Sequence, residues 1–264
     1  MSVPYLNTST LSEAVSDDIN EFTVASTSNI TVGDLIVLRG EAMHVRAIPV
    51  SGRVVVRRGY QGTRAISHKS GARFFIGSPD KFKAIKDHAM ATVGASGTFP
   101  DFLLPGQRAT DSDGNEYIMV DLTATCYSGT TVSISLDGLY TATQAAGGAQ
   151  GPVGLTVEEG TSNTYVWAQI YGYNSYAQET INASAGTSAY IACAVTTAST
   201  PSVGLAALDA ATTTGVYLIH GMWIVGVATS TVTSATSSTG LAYPVFLNYP
   251  YLQPRLETLG SSNS

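Results

Sequence analysis

Residues 34–57 read DLIVLRGEAMHVRAIPVSGRVVVR, and this stretch decides the fold. Asp34–Leu38 is a short apolar run, whereas Glu41–Ile48 and Arg53–Arg57 alternate between apolar and polar residues. Alternation with a period of two is typical of a strand that buries one face. Pro49-Val50-Ser51-Gly52 separates the two alternating segments and predicts a hairpin turn. We therefore expect strands throughout this stretch, with the last two joined as a hairpin.

The same kind of pattern covers most of the chain. Runs of β-branched and aromatic residues, separated by clusters of Gly, Ser, Thr and Asn, predict strands at Glu21–Val24, Glu116–Asp121, Thr131–Leu136, Tyr165–Tyr171, Ser188–Val195, Val216–His220 and Met222–Ala228. Residues 79–91 predict the clearest helix, because Phe82, Ile85 and Ala89 recur at helical spacing. Residues 10–18 predict one short helical turn.

These elements predict an all-β fold with three parts. Residues 1–90 are expected to form a small N-terminal β-module that carries one short helix, and residues 91–108 form a linker punctuated by Gly and Pro. Residues 109–264 are expected to form a larger antiparallel region that resembles a β-sandwich or barrel. A chain of 264 residues is long enough to bury a sizeable core in this arrangement.

Charge is distributed very unevenly along the chain. Charged residues make up only 12% of the sequence, and 11 of the 13 Lys and Arg residues lie between Arg39 and Lys86. Residues 109–254 contain neither Lys nor Arg. Ordinary soluble surfaces mix both signs of charge at roughly a quarter of their positions or more. The asymmetry therefore indicates an inert covering protein that presents one basic face to an acidic partner.

The basic segment supplies the candidate contact residues. On the strand Arg53–Arg57 both arginines share one face with Val55. Three interpretations stay open for this cluster: a solvated face with local ion pairs, a contact with an acidic protein surface, and direct DNA binding. DNA is the least favoured, because Tyr60 is the sole aromatic residue available for stacking among these cations. The full candidate set is Arg53, Arg57, Arg58, Arg64, Lys69 and Arg73.

No motif in the sequence indicates catalysis, a cofactor or a metal. The four histidines form no metal-binding pair, and G-x-S-x-G and nucleotide-binding patterns are absent. We expect His68 to order a loop and His220 to be a core residue. The run Asp111–Glu116 (DSDGNE) suggests a calcium loop, but its Gly and the residue at position twelve do not fit an EF-hand. A hairpin turn around Asp113-Gly114-Asn115 is the favoured alternative.

Two further sets of residues leave alternatives open. Trp167, Tyr171, Tyr173 and Tyr176 form either a sugar-binding strip or packing contacts, and packing is favoured because it is the more common role. Cys126 and Cys193 are either reduced core residues, which we favour, or a disulfide. The N-terminus has no signal-peptide pattern and no apolar run reaches 18 residues, so we expect no membrane association.

Three segments resemble structural proteins of tailed bacteriophages. Residues 104–138 resemble a hairpin-rich insert of tail and baseplate proteins, and residues 165–252, which open with W-x-Q-x-x-G at Trp167, resemble C-terminal domains of head decoration proteins. Residues 30–77 resemble a small β-module in which glycines supply positive φ and Thr63 and His68 bond loop backbone. Its motif, R-G-x-x-G-T-x-A-x-x-H-x-x-G, is carried by Arg58, Gly59, Gly62, Thr63, Ala65, His68 and Gly71.

The resemblance implies a non-enzymatic virion component, most like a capsid decoration (cement) protein. Its expected partners are the major capsid protein, through the candidate contact residues above, and copies of itself, most simply as a trimer. Its expected location is the capsid surface after synthesis in the host cytoplasm, and neither a membrane nor nucleic acid is expected as a partner. The alternative is a tail, baseplate or fibre component with receptor contact.

Overall fold

A computed structural model describes residues 5–93, 102–145, 151–179, 190–196, 203–205, 216–225 and 241–252. These residues contain one α-helix, α1 (Pro79–Val93), and one short 3-10 turn (Tyr60–Gly62). The strands of the described residues are β1 (Asn7–Thr10), β2 (Glu21–Thr23), β3 (Leu35–Leu38), β4 (Glu41–Val50), β5 (Arg53–Arg57), β6 (Arg73–Gly77), β7 (Arg108–Thr110), β8 (Glu116–Leu122), β9 (Thr131–Ile134), β10 (Thr141–Gln144), β11 (Gly151–Thr156), β12 (Thr164–Glu179), β13 (Tyr190–Thr196), β14 (Val203–Leu205), β15 (Val216–Val225) and β16 (Leu241–Leu252). The predicted all-β class is confirmed.

The chain divides into two compact units. The first unit comprises residues 1–90 and 99–104, and the second comprises residues 91–98 and 105–264. Part of the predicted linker belongs to the core of the first unit, because Phe102 and Leu103 are buried there. The ring of Phe102 meets that of Phe82 on α1 edge to face, with centroids 5.7 Å apart.

The first unit is a six-strand sheet whose two edges meet. The strand order is β1-β6-β3-β4-β5-β2, and every pair is antiparallel. The edges are joined by a bridge between Leu11 and Val24 and by hydrogen bonds from the Ser12 N–H to the Thr23 carbonyl (3.0 Å) and from the Ala25 N–H to the Thr10 carbonyl (2.9 Å). The sheet is therefore a closed ring, and this closure removes the exposed edges that favour aggregation.

Side-chain alternation fills the inside of this ring. On β5 the burial runs exposed, buried, intermediate, buried, exposed, so that Val54 and Val56 face inward and the two arginines face outward. The interior is a single apolar cluster formed by residues of β2 to β6, together with Leu11, which directly follows β1, and residues of the connecting segments. Its larger members are Leu11, Phe22, Ile36, Met43, Val45, Phe74 and Ile76.

The helix predictions had different outcomes. The predicted helix at residues 79–91 is confirmed as α1, which begins at Pro79 and buries Phe82, Ile85 and Ala89. The predicted helical turn at residues 10–18 is wrong. There, Leu11 and Val15 are spaced as on a helix, but each forms a bridge to another segment and buries its side chain in the ring.

The second unit contains another closed ring, made of five strands. Around it run β12, β11, β9, β10 and β8, and a direct pairing of β8 with β12 completes the circuit. Its interior holds an apolar cluster formed by inward-facing residues. The members are Ile118, Val120, Leu122, Cys126, Val132, Ile134, Ala142, Val166, Ala168 and Ile170. This ring bears out the barrel form of the expected second region.

One pairing in the five-strand ring departs from the antiparallel expectation. β8 and β10 run parallel, with Thr141 opposite Asp121 and Ala142 opposite Leu122. The reason is parity: strand direction can alternate around a closed circuit only when the number of strands is even. Five strands therefore require a parallel pair, whereas the six-strand ring of the first unit closes with antiparallel pairs throughout.

The long strand β12 links the five-strand ring to further sheet. Beyond the ring, β12 pairs with β16, and β16 pairs with β15. β15 then pairs with β13, and β13 pairs with β14 at the edge of the sheet. The thiol of Cys126 is free and buried inside the ring, and burial raises its pKa to about 11. The side chain of Cys193 lies outside the described side chains. In the described part of the chain no helix is long and apolar enough to cross a membrane.

Because the two faces of β5 differ in burial, the same substitution is expected to cost different amounts of stability on each face. Val54→Ala removes two methyl groups from the filled ring, and we expect the first unit to lose about 2 kcal/mol of stability. Val55→Ala, on the outer face, is expected to cost less than about 1 kcal/mol. Hydrogen–deuterium exchange of peptides from residues 35–57 measures both. Equal losses would contradict the inward position of Val54.

Candidate functional site

A buried carboxylate organises the basic segment of the first unit. Glu41, the first residue of β4, is fully buried and receives two hydrogen bonds from the Arg58 guanidinium, from Nε to Oε1 at 2.6 Å and from Nη2 to Oε2 at 2.8 Å. His68 Nε2 lies 2.8 Å from Oε2, and the Ile66 N–H donates to the same oxygen at 3.2 Å. Paired and hydrogen-bonded in this way, the buried charge is tolerated in the protein interior.

Arg58 uses its remaining donors on main-chain carbonyls. Nη1 donates to Ser16 O and to Ile19 O at 2.8 Å each, and Nη2 donates to Ile66 O at 2.7 Å. Its side chain is only 5% exposed. Arg58 therefore fastens the segment before β2 and the loop before His68 to the start of β4. It is a structural residue, and we remove it from the candidate contact set.

The electrostatics of Glu41 follow from this environment. Burial alone raises the pKa of its carboxyl group. The hydrogen bonds from Arg58, His68 and the Ile66 N–H, together with the charge of Arg58, outweigh burial and hold the pKa below its ordinary value. The carboxylate stays ionised at neutral pH because it is the acceptor on which these donors converge.

The loop that follows Arg58 explains the motif found in the sequence. Gly59 has φ of 59°, and a Cβ there would lie 2.8 Å from the Thr63 carbonyl. The Thr63 hydroxyl accepts from the Ala42 N–H (3.1 Å) and donates to the Tyr60 carbonyl (2.9 Å), as predicted for this position. His68 bonds loop backbone through its main chain, which pairs with Val15, whereas its ring bonds the Glu41 carboxylate.

The other predicted contact residues do not form one face. Arg53 is exposed and forms an ion pair with Glu21 on β2, with Nη1 3.2 Å from Oε1. Arg57 is exposed on β5, and Arg64 and Lys69 are exposed on the loop. Arg73 opens β6, which lies three strands from β5 in either direction around the ring. The structure thus separates Arg73 from Arg53 and Arg57 by half of the circumference.

A different group of residues meets on the outer face of β4 and β5. His44 on β4 is opposite Arg57 on β5, and its ring stacks on Tyr60 with centroids 5.0 Å apart and an interplanar angle of 29°. Arg46 follows on the same face and is exposed. Burial, and then the charges of Arg46 and Arg57, lower the pKa of His44. Sequence reasoning missed Arg46 and His44, although the alternation of residues 41–48 already places them on one outward face.

In the second unit, the W-x-Q-x-x-G motif is a packing device. Trp167 is buried, and the Gln169 amide donates to the carbonyls of Tyr171 (3.1 Å) and Tyr173 (3.2 Å), which stabilises an irregularity in β12. Gly172 has φ of 99°, and a Cβ there would lie 2.0 Å from the Asn115 side chain. The glycine is therefore required by the close approach of the β7–β8 turn.

The exposed tyrosines near this turn support packing more than sugar binding. Tyr249 stacks on Tyr171 with centroids 5.3 Å apart, its hydroxyl donates to Glu116 at 2.8 Å, and the Arg108 guanidinium lies 6.0 Å from its ring centroid. Tyr249 thus has packing and hydrogen-bond partners within the unit, although about half of its side chain stays exposed. Tyr173 is 53% exposed, and the side chain of Tyr176 lies outside the described side chains.

The remaining candidates are resolved as turns or surface residues. Asp111 accepts from the N–H groups of Asp113 and Asn115 at 2.9 Å each and from the Tyr117 hydroxyl at 2.7 Å, which makes the predicted hairpin turn. Within the described ranges no three acidic, His or Cys side chains meet as a metal site. His220 was predicted in the core but is exposed, because β15 is irregular between His220 and Met222.

The chain matches no protein-family model, and no curated protein is significantly similar to it. The resemblance to tailed-phage structural proteins therefore rests on the motifs of the sequence alone.

Glu41→Gln is expected to destabilise the first unit at pH 7 by about 3–5 kcal/mol, because it leaves the buried Arg58 charge without a counter-charge. Glu21→Gln breaks the exposed pair with Arg53 and is expected to cost less than about 1 kcal/mol. Urea unfolding, read by pulsed hydrogen exchange of first-unit peptides, measures both.

The stability difference between the wild type and Glu41→Gln is expected to depend on pH. A folded pKa below the ordinary 4.5 of Glu41 means that its stabilisation is complete above that pH and is lost as the pH falls through the folded value. The stability difference between the wild type and Glu41→Gln should therefore narrow in acid. A difference that stayed constant from pH 7 to pH 3 would contradict the lowered pKa.

Gly172→Ala and Gly114→Ala make a matched pair in the second unit. Both glycines have positive φ, but a Cβ at Gly114 meets no atom within 4 Å, whereas one at Gly172 collides with Asn115. We expect Gly114→Ala to cost about 1–2 kcal/mol from backbone strain and Gly172→Ala clearly more. Urea unfolding followed by the fluorescence of the buried Trp167 measures both, and equal costs would contradict the close approach.

Proposed function

We propose that this chain is a non-enzymatic structural protein of a tailed-phage virion, which docks on the outer surface of the capsid and stabilises it. The observation that carries the proposal is the outward face of β4 and β5 on the first unit. Arg46 and Arg57 are exposed there, and neither forms an ion pair or hydrogen bond within the described residues. Unpaired cations on a rigid, closed ring suit a contact with an acidic protein surface.

The contrast between the two units supports an inert outer role for the second. Residues 109–254, which make up most of the second unit, contain neither Lys nor Arg. Their described part forms a ring and sheet with a packed apolar core. Such a surface offers few charged groups for competing partners. The candidate contact set for docking becomes Arg46 and Arg57 as the centre, with Arg53, Arg64 and Lys69 at its margin.

Stabilisation of the capsid follows from mass action. A protein that binds the mature shell and has no affinity for its disassembled subunits shifts the assembly equilibrium toward the shell, by RT ln(1 + [L]/Kd) for each site. Self-association, with a trimer as the simplest case, would multiply the number of docking faces that bind at once. The partner in this proposal is the major capsid protein.

The test is co-sedimentation with emptied, undecorated capsids of the virus that encodes the chain, with bound copies counted on quantitative gels. We expect saturation at a lattice-symmetric number in the hundreds per shell. The double variant Arg46→Glu/Arg57→Glu is expected to lower the affinity at least about tenfold, which corresponds to about 1.4 kcal/mol. Arg73→Glu, also an exposed arginine but on the opposite side of the ring, is the matched control and should bind as the wild type does.

Two results would overturn this proposal. One is the absence of co-sedimentation together with the presence of the protein in isolated tails, which would favour the tail or baseplate alternative. The other is equal loss of binding in the double variant and in Arg73→Glu, which would show that docking does not use the β4–β5 face. Binding should also weaken as salt rises, because exposed charges are screened.

A further inference from the structure

We propose that His44, Arg46 and Arg57 form a receptor for one carboxylate side chain of the docking partner, and that His44 takes up a proton from solvent when this carboxylate binds. The proposal rests on the proposed docking function and names the chemistry of its central contact. We refer to these three residues as the carboxylate receptor.

His44 has Arg57 beside it on the neighbouring strand, and the charge of Arg46 also acts on it. His44 and Arg57 occupy paired positions on neighbouring strands, and such pairs have Cβ atoms about 4.5–5.5 Å apart. Arg46 lies two residues further along β4, exposed at an irregularity in the pairing with β5 between Val45 and Ala47. Tyr60 stacks on the imidazole and fixes its plane. His44 Nδ1 is buried without a hydrogen-bond partner in the described part of the chain, so a ligand meets the ring at Nε2.

The charged groups that act on His44 lie on β4 and β5. On β4 and β5 the charges that act on His44 are those of Arg46 and Arg57, and both are positive. On β3 its partner is the apolar Leu35. The nearby Asp34 carboxylate is held by the Thr31 N–H and hydroxyl at 2.8 Å each. The carboxylate receptor is therefore an uncompensated positive site around a neutral imidazole.

A carboxylate fits this site better than a nucleic-acid backbone does. One face of Tyr60 is occupied by His44, so the pair presents no open stacking platform for bases. Glu21 lies beside Arg53 on the same outer surface and would repel a phosphodiester chain that followed the strand. Two arginine charges that both act on His44 suit a single carboxylate, which accepts hydrogen bonds on both of its oxygens.

Binding of a carboxylate changes the proton affinity of the imidazole. In the free protein, burial and the two arginine charges hold the pKa of His44 below its usual value. A bound carboxylate neutralises part of that charge and accepts a hydrogen bond from the imidazolium Nε2–H, so it raises the pKa. The added affinity is present below the free pKa and is lost as the pH rises through the bound pKa.

The experiment uses the full chain at low salt and two probes, a capped hexaglutamate peptide and a 20-base-pair DNA duplex. The His44 ring resonances are followed by proton–carbon NMR while the pH is varied with and without each probe. We expect the peptide to shift the titration of His44 to higher pH. The peptide should also bind more tightly at pH 6 than at pH 8, by up to about tenfold for each unit of pKa increase.

Matched variants separate the parts of the site. His44→Gln should bind the peptide with little pH dependence between pH 6 and pH 8, while Arg46→Glu/Arg57→Glu should not bind it. Arg73→Glu should behave as the wild type in both respects. Hydrogen–deuterium exchange of residues 35–57 confirms that each variant keeps the folded ring. A second readout, proton uptake on peptide binding measured by calorimetry in two buffers, should be lost in His44→Gln.

The proposal is overturned if the peptide leaves the His44 titration unchanged, or if the DNA duplex binds more tightly than the peptide at the same salt concentration. These results are independent of capsid co-sedimentation. Peptide binding with proton uptake but no capsid binding would keep the carboxylate receptor and reject the proposed function. Capsid binding that Arg46→Glu/Arg57→Glu leaves intact would retain docking and reject the carboxylate receptor as its centre.

Discussion

The buried Glu41 carboxylate is the interaction on which the first unit depends. It joins three segments that are distant in sequence: the start of β4, the loop after β5 with Arg58, and the segment that ends at His68. Because it holds the Arg58 side chain in place, it also secures the turn around Ser16–Ile19, whose carbonyls accept from Arg58 Nη1. Because these donors converge on a buried charge, removal of Glu41 would leave Arg58 without a counter-charge, and removal of Arg58 would leave the carboxylate without its cation.

This arrangement also decides which cations are available at the surface. Arg58 and Arg57 are neighbours in sequence, yet one is committed to the interior and the other is exposed on β5. By fixing the main chain on both sides of Tyr60, the buried cluster holds that ring against His44. The outward group around His44 is therefore positioned by the inward group around Glu41, and β4 contributes a residue to each of them.

The sequence allowed the strands β3–β5, the helix α1 and the all-β class to be predicted, because each depends on local periodicity. It did not allow the burial of Arg58 or the separation of Arg73 from Arg57 to be predicted, since both depend on which strands become neighbours when the ring closes. His220 shows the same limit. An apolar stretch predicted a core position, but an irregularity in β15 turns this residue outward. Arg46 was missed for another reason: grouping cations by sequence density obscured the shared face that alternation had already indicated.

The pairing of β8 with the much later strand β12 has a consequence for synthesis on the ribosome. The six-strand ring needs no residue beyond Gly77, so it can close while the rest of the chain is still being made. The five-strand ring cannot close until β12 has emerged, because β8 has β12 as its partner on one side and a parallel neighbour on the other. Nascent β8 must therefore wait, incompletely paired, for the about forty residues that separate its end at Leu122 from the start of β12 at Thr164. The scarcity of charge in that region makes this interval the point at which the chain most needs protection from aggregation.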